Sequence, residues 1–152
     1  MDPSQMIEKL NELIALDHDA VGAYEAAIDR IDVESIRAQL RQFQDDHRRH
    51  IYDLSAQVKR LGGVPRERPD AKGFILKGFT AITSMMGTEA ALRAMQGNEK
   101  LTNTSYANAL RENWPADLRT VIEQNYRDEQ RHLAYVEDAL RNRIWEQGTA
   151  HP

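Results

Sequence analysis

Residues 10–61 laid over residues 92–143, a shift of 82 positions, superpose the polar residues that interrupt an otherwise apolar helical seam. Asp17 falls on Glu99, Tyr24 on Tyr106, Asp46 on Asp128, His47 on Glu129 and His50 on His132. The halves share little else. Leu10, Tyr24, Ala27, Arg37, Gln42, Asp46, Arg49 and His50 are the only residues repeated unchanged. A repeat that keeps ionisable groups at fixed spacing within a poorly matched background has the form of a doubled metal site in a helical bundle.

Helical periodicity runs through the chain, and its punctuation divides it into four long segments. Asp2-Pro3-Ser4-Gln5 reads as an N-cap, a proline at the first helical position and a side chain that closes a capping box. The first helix runs to about Ile31, and Asp32 is placed to cap the second. That second helix turns Ile36, Leu40, Phe43, His47, His50, Leu54 and Leu61 inward before Gly62-Gly63 ends it. Residues 64–72, with Pro65 and Pro69, form the linker, and the apolar stretch Phe74 to Met86 follows as core or an association surface. Thr88 is placed to cap the third helix, with Glu89 in its first turn. Trp114-Pro115 separates the third helix from the fourth, which continues to about Trp145. Two short turns and one long connection predict an all-α four-helix bundle of two antiparallel hairpins with a long crossover. It occupies one domain over residues 1–146, with 147–152 as a disordered tail.

Residues of an antiparallel hairpin face each other when the turn is their midpoint. The midpoint of Asp17 and His47 is 32, and that of Glu99 and Glu129 is 114, so both pairs fall at one level and the four helices converge there. Spacings of three and four keep each group on the buried stripe of its helix: Leu10, Ile14, Asp17, Val21, Tyr24, Ile28 and Ile31 on the first, Leu118, Ile122, Asn125, Glu129, His132, Val136 and Leu140 on the fourth. Three carboxylates, Asp17, Glu99 and Glu129, thus meet three imidazoles, His47, His50 and His132, in the core. Burying such groups unpaired costs several kcal/mol each, against ~5–15 kcal/mol of net stability for a whole domain. One or two divalent transition metals would compensate them. With no cysteine in the chain, thiolate zinc sites, Fe–S clusters, disulfides and thiol catalysis are all excluded. Carboxylate and imidazole suit Fe, Mn or Zn.

Asp128-Glu129-Gln130-Arg131-His132 resembles the D-E-x-x-H motif on the last helix of the ferritin-like di-iron carboxylate proteins. Asp17-x-x-Ala20-x-x-x-Tyr24 resembles the E-x-x-A-x-x-x-Y of the first helix in rubrerythrin-type members. Over about residues 10–143 the resemblance implies Asp17 and Glu99 as terminal metal ligands, Glu129 as a bridge, and His50 and His132 as one imidazole per metal. Iron is the metal it implies first, with oxidation of Fe(II) by O₂ or peroxide as the reaction and a homo-oligomer, a dimer or larger, as the assembly. Gly62-Gly63-x-Pro65 and Gly97-Asn98-Glu99 through Tyr106-x-x-Ala109-Leu110 are similar to an uncharacterised bacterial ferritin-like family of unknown function. Two positions depart from the superfamily pattern: Asp17 stands where Glu is usual, and His47 stands where the second helix has its bridging Glu. The loss of that carboxylate sets three anionic ligands against the four positive charges of two divalent ions. One tightly held ion, with the second position weak, is the resulting expectation.

Side chains on a helix lean toward its N-terminus, so Tyr24 and Tyr106, seven residues after Asp17 and Glu99, lean back toward the site as candidate catalytic side chains. There they can donate hydrogen bonds to ligands or take part in electron transfer. Asp46 and Asp128 are placed to orient a histidine on a neighbouring helix. His18 and Glu25 lie one position off the seam, His151 lies in the tail, and Arg48, Arg49 and Arg131 read as surface charges. A hemerythrin-like O₂ carrier needs more histidines than the five present. The competing reading is a non-enzymatic structural or interaction module that keeps the bundle without the metal. Acidic residues outnumber basic ones, 24 to 20, which gives no nucleic-acid footprint. The apolar stretch is too short to span a bilayer and no signal peptide is read at the N-terminus, so a cytoplasmic protein is expected.

Overall fold

The computed structural model describes residues 1–67 and 87–147. It contains α1 (Pro3–Arg30), α2 (Glu34–Arg60), α3 (Thr88–Ala109), α4 (Ala116–Asn142) and a single final turn, α5 (Ile144–Gln147); no strand occurs among the described residues. The Phe74 to Met86 stretch, Pro69, His151 and all of the expected tail but Gln147 lie outside them.

Local chemistry accounts for the helix ends. At α1 the Gln5 amide donates to Asp2 Oδ1 at 2.8 Å and the Asp2 amide donates to Gln5 Oε1 at 3.0 Å, a closed capping box. Asp32 does not cap α2. Val33 occupies the N-cap position, one residue nearer the helix, and Asp32 Oδ1 instead accepts from Thr88 Oγ1 at 3.4 Å. Gly87, at φ +90°, likewise takes the N-cap of α3 and leaves Thr88 as its first residue. The end of α2 needs Gly62 at φ +88°, and a Cβ on Gly63 would meet Ile7 Cγ2 at 2.8 Å, so the chain passes close beneath α1 there. The fourth helix stops at Asn142, earlier than Trp145, because Arg143 turns left-handed at φ 48°.

The repeated arginines close both hairpins in the same way. Arg37 Nη1 donates to the carbonyls of Ile28 (2.8 Å) and Ile31 (3.0 Å), and Arg119 donates to those of Leu110 (3.1 Å) and Glu112 (2.6 Å). Each guanidinium ties down carbonyls at the C-terminal end of the preceding helix, where its positive charge is also favoured.

The helices pack in the cyclic order α1, α2, α4, α3. The Asp32–Thr88 contact puts the start of α3 beside the α1–α2 turn, so α2 ends and α3 begins at opposite ends of the bundle, α3 runs antiparallel to α1, and α4 runs antiparallel to α2. Two apolar clusters fill the interior. One, nearer the α1–α2 turn, holds Ile28, Ile31, Ile36, Leu40, Phe43, Leu92, Met95 and Val136; the other holds Met6, Leu10, Ile14, Leu54, Val58, Leu118 and Ile122. Leu40 and Leu54 are wholly buried, and truncating either to Ala would cost about 2–5 kcal/mol through transfer and cavity terms. Between the two clusters lies a polar layer.

Candidate metal centre

The polar layer is made of the residues that the repeat singles out. Asp17 from α1, His47 and His50 from α2, Glu99 from α3, and Glu129 and His132 from α4 are all 1% exposed or less. The i, i+3 spacing on α2 and α4 turns two groups inward from each, while α1 and α3 contribute one carboxylate apiece.

Asp17 Oδ1 accepts from His47 Nδ1 at 2.7 Å and from His50 Nδ1 at 3.0 Å, and its Oδ2 accepts from the Tyr106 hydroxyl at 2.6 Å. Glu99 Oε1 accepts from the Tyr24 hydroxyl and lies 3.5 Å from both His47 Nε2 and His132 Nδ1. Each tyrosine therefore serves the carboxylate of the other hairpin. The same exchange governs the histidines. His50 Nε2 is bonded to Asp128 at 2.9 Å and His132 Nε2 to Asp46 at 2.8 Å, which leaves Nδ1 of each ring facing the layer. An aspartate holding the outward nitrogen of a histidine whose other nitrogen faces a site is the arrangement that orients metal-ligating imidazoles.

Three further residues complete the layer. Thr102 Oγ1 lies 3.1 Å from Glu99 Oε2 and 3.0 Å from Glu129 Oε2, tying the two glutamates together. Arg49 donates to Asp128 and, at 3.2 Å, to Asp46, whereas Arg131 donates to Asp46 at 2.7 Å and to Asp128 at 3.1 Å. The sequence reading left these arginines as surface charges, and they are about half exposed, yet each holds the aspartate that orients a histidine. Their recurrence at the repeat offset was the available signal. Thr102 left only its place three residues after Glu99. His18, whose Nε2 lies 3.3 Å from the Arg66 carbonyl, and Glu25, bonded to Gln44 at 3.0 Å, take no part in the layer.

Electrostatics bind the layer into one unit. Burial pushes the Asp17 carboxyl up, but the charge of His50 and the hydrogen bonds from both imidazoles outweigh it and bring the group down to about 2. Burial likewise raises Glu99, and the His132 and His47 rings 3.5 Å away hold it well below the usual carboxylate range. The imidazoles move the other way. Burial pulls His47 down, but Glu129, Asp17 and Glu99 carry it up to about 10; His50, facing Asp17 and Asp128, reaches about 11; His132, held by Asp46, Glu129 and Glu99, reaches about 9. Burial and the adjacent carboxylates push both tyrosine hydroxyls well above 10, so Tyr24 and Tyr106 stay protonated and donate. The carboxylates thus hold the imidazoles above their ordinary range, the imidazoles hold Asp17 and Glu99 below theirs, and each sign of charge compensates the other.

That compensation leaves two atoms without partners. Glu129 Oε1 and His132 Nδ1 are buried and make no hydrogen bond. Glu129 Oε1 lies 3.4 Å from both His47 Nδ1 and His50 Nδ1, and His132 Nδ1 lies 3.6 Å from Glu129 Oε2, distances too long for good hydrogen bonds. Orphaned buried polar atoms demand an explanation, and oxygen and nitrogen atoms converging in this way suit a cation that takes the place of the inward imidazole protons. The ligand atoms fall into two groups, Asp17, His47, His50 and Glu129, and His47, Glu99, Glu129 and His132, with every atom of a group within 4.8 Å of the others. The buried His/Asp/Glu cluster fits a metal-binding bundle.

A four-helix bundle of two antiparallel hairpins in this topology has the ferritin-like fold. The family model for a domain of unknown function, DUF2383, matches residues 5–112, and the chain belongs to that family. No curated protein matches it. Among solved structures, the bacterioferritin-related protein of Bacteroides fragilis, a dodecameric thioferritin, superposes with a TM-score of 0.79 at 14% identity, over 98% of this chain and 92% of its own. A ferritin-like diiron-carboxylate protein of Bacillus anthracis gives 0.72 at 20% identity, over 92% and 98%. The bacterioferritin of Desulfovibrio desulfuricans, which has a diiron site, gives 0.76 at 22% identity, over 91% and 79%. At these identities the likeness establishes the fold.

Proposed function

We propose that this protein binds iron in the layer between its two apolar clusters, through Asp17, His47, His50, Glu99, Glu129 and His132, and that it oxidises Fe(II) with O₂ or peroxide. The observation that carries the reading is the pair of orphaned atoms, Glu129 Oε1 and His132 Nδ1, aimed into a wholly buried cluster of nitrogen and oxygen donors. Bound iron would supply the electrons that reduce the oxidant. The chain's own residues do the rest. Asp128 and Asp46 fix the ring orientation of His50 and His132, Tyr106 and Tyr24 steady the Asp17 and Glu99 carboxylates, and the flanking apolar clusters keep bulk water out. Manganese and zinc fit the same donors. No described helix is long and apolar enough to cross a membrane. A homo-oligomer, with exposed Tyr52 and Val64 among its contact candidates, is part of the proposal.

The short Asp17–His47 bond favours a second reading, in which the charge-paired layer is a finished structural core and the bundle serves as a metal-free interaction module. Elemental analysis separates the two. Protein made in iron-containing medium and purified without added metal is expected to carry at least one Fe, Mn or Zn per chain, and removal of the ion is expected to lower the melting temperature, because a ligand bound only by the folded state adds stability. Content below ~0.1 per chain for all three, with no thermal shift on adding any of them, assigns the bundle to the second reading.

A further inference from the structure

The two groups of ligand atoms overlap at Glu129 and at His47, residues that occupy equivalent places in the repeat. A carboxylate such as Glu129 has one oxygen for each side. His47 has two ring nitrogens, and they point to different sides. Its Nδ1 lies 2.7 Å from Asp17 Oδ1 and 3.4 Å from Glu129 Oε1, within the group that contains His50; its Nε2 lies 3.5 Å from Glu99 Oε1, within the group that contains His132. The lone-pair directions of the two nitrogens diverge in the ring plane, so an imidazole in this position offers one ligand atom to each group. His50 and His132 have no such freedom. Asp128 and Asp46 occupy their Nε2 atoms and leave a single nitrogen apiece for the layer.

Charge leads to the same assignment. Asp17, Glu99 and Glu129 bring three negative charges against the four positive charges of two divalent ions, and one uncompensated charge in a dry interior is expensive. A ring bonded through both nitrogens has given up its last N–H proton and is an anion. With that fourth negative charge the layer balances the two ions.

We propose that His47 is a bridging imidazolate, bonded through Nδ1 to one divalent ion and through Nε2 to a second, so that this chain holds a two-metal centre with a histidine doing the work of one bridging carboxylate. The inference rests on the metal-binding reading above and replaces the single-ion expectation drawn from the sequence. Two nitrogen–metal bonds form at His47, both N–H protons of its imidazolium and the Nδ1 protons of the His50 and His132 imidazoliums leave to solvent, and no electron moves.

The test uses the full chain, stripped with a chelator and titrated with Zn(II). It is read by native mass spectrometry and, with isotope-labelled histidine, by NMR of the ring nitrogens. Two Zn(II) per chain are expected, with ring N–H protons kept at Nε2 of His50 and His132 and none on His47. His47→Gln, which retains one ligand atom, is expected to fall to one Zn(II), whereas His47→Glu, whose carboxylate can bridge, is expected to keep two. A wild-type chain saturating at one Zn(II), an N–H signal from His47 in the two-zinc protein, or two zinc ions held undiminished by His47→Gln would each overturn the bridge and leave metal binding standing. No binding of Zn(II), Fe(II) or Mn(II) by the wild type would overturn the metal-binding reading itself. Should His47→Gln fail to melt cooperatively, the wild-type stoichiometry and the His47 ring signals decide the question alone.

Discussion

Tyr106→Phe removes one hydroxyl from the centre of the bundle and changes almost nothing else. That hydroxyl is wholly buried and is the donor to Asp17 Oδ2, at 2.6 Å; the Asn125 amide, 3.4 Å away, is its other hydrogen-bond partner among the described residues. A hydrogen bond to a charged group is worth about 1.5–3 kcal/mol, and here the loss leaves a carboxylate oxygen buried with no donor. At about 2–4 °C per kcal/mol for a domain of this size, the metal-free variant should melt roughly 3–12 °C below the wild type. With a divalent ion on Asp17 the carboxylate has another source of compensation, so the decrement should shrink in the loaded protein. Tyr52→Phe, at a ring 76% exposed, is the control and should stay within ~0.5 kcal/mol of the wild type. The assay is calorimetric melting of the stripped and loaded forms of each variant. A Tyr106→Phe protein as stable as the Tyr52→Phe control in the stripped form would mean that Asp17 draws nothing from Tyr106, and the account of the layer as an interlocked charge network would fall.

Three further outcomes are expected. His132→Ala and Glu129→Ala should each abolish most metal uptake in a calorimetric titration, while His18→Ala and Glu25→Ala, outside the layer, should leave it nearly intact; equal losses would mean that the α1 face has been misassigned. Asp46→Asn and Asp128→Asn should fold normally and weaken metal affinity ~10–100-fold, because each aspartate orients a ligating imidazole, and an unchanged affinity would remove that role. The imidazoles raised from 6.5 to about 9, 10 and 11 lend the metal-free protein stability that is complete below pH 6.5 and is lost as pH rises through those values. Asp17, depressed from 3.8 to about 2, lends stability that is complete above pH 3.8 and is lost as pH falls through 2. The urea midpoint of the stripped protein should therefore hold level between those limits and decline on both sides. Metal affinity should rise with pH over the same plateau, since the ion displaces protons from the histidines. A midpoint that climbs above pH 9 would contradict the charge pairing.

The bundle and the height of its polar layer were legible because both depend on spacing. Period and punctuation locate the helices, and the hairpin midpoints at 32 and 114 bring Asp17, His47, Glu99 and Glu129 to one level. The helix ends were less legible. Asp32 and Thr88 are good capping residues in isolation, but tertiary geometry used them to bond each other across the end of the bundle, with Val33 and Gly87 in the cap positions. Arg49 and Arg131 were misread because exposure and function are separate properties: a long side chain can keep its head half in water and still hold the aspartate beneath it. The direction in which the His47 ring divides its two nitrogens is a matter of rotamer and packing, to which sequence spacing is blind.

The crossed partnerships also set an order of events for a chain made from its N-terminus. When the ribosome has released the first hairpin, Asp17, His47 and His50 exist, but the Tyr106 hydroxyl, the Asp128 carboxylate and Glu129 do not, and His50 lacks the aspartate that holds its outward nitrogen. The second hairpin alone is deprived in the same way, since Tyr24 and Asp46 belong to the first. Neither half is a weaker copy of the whole site. On the metal-binding reading proposed above, an ion that met the nascent first hairpin would find Asp17, His47 and His50 bonded only to one another, and selective capture would wait until the last helix had docked and so mark a fully folded bundle.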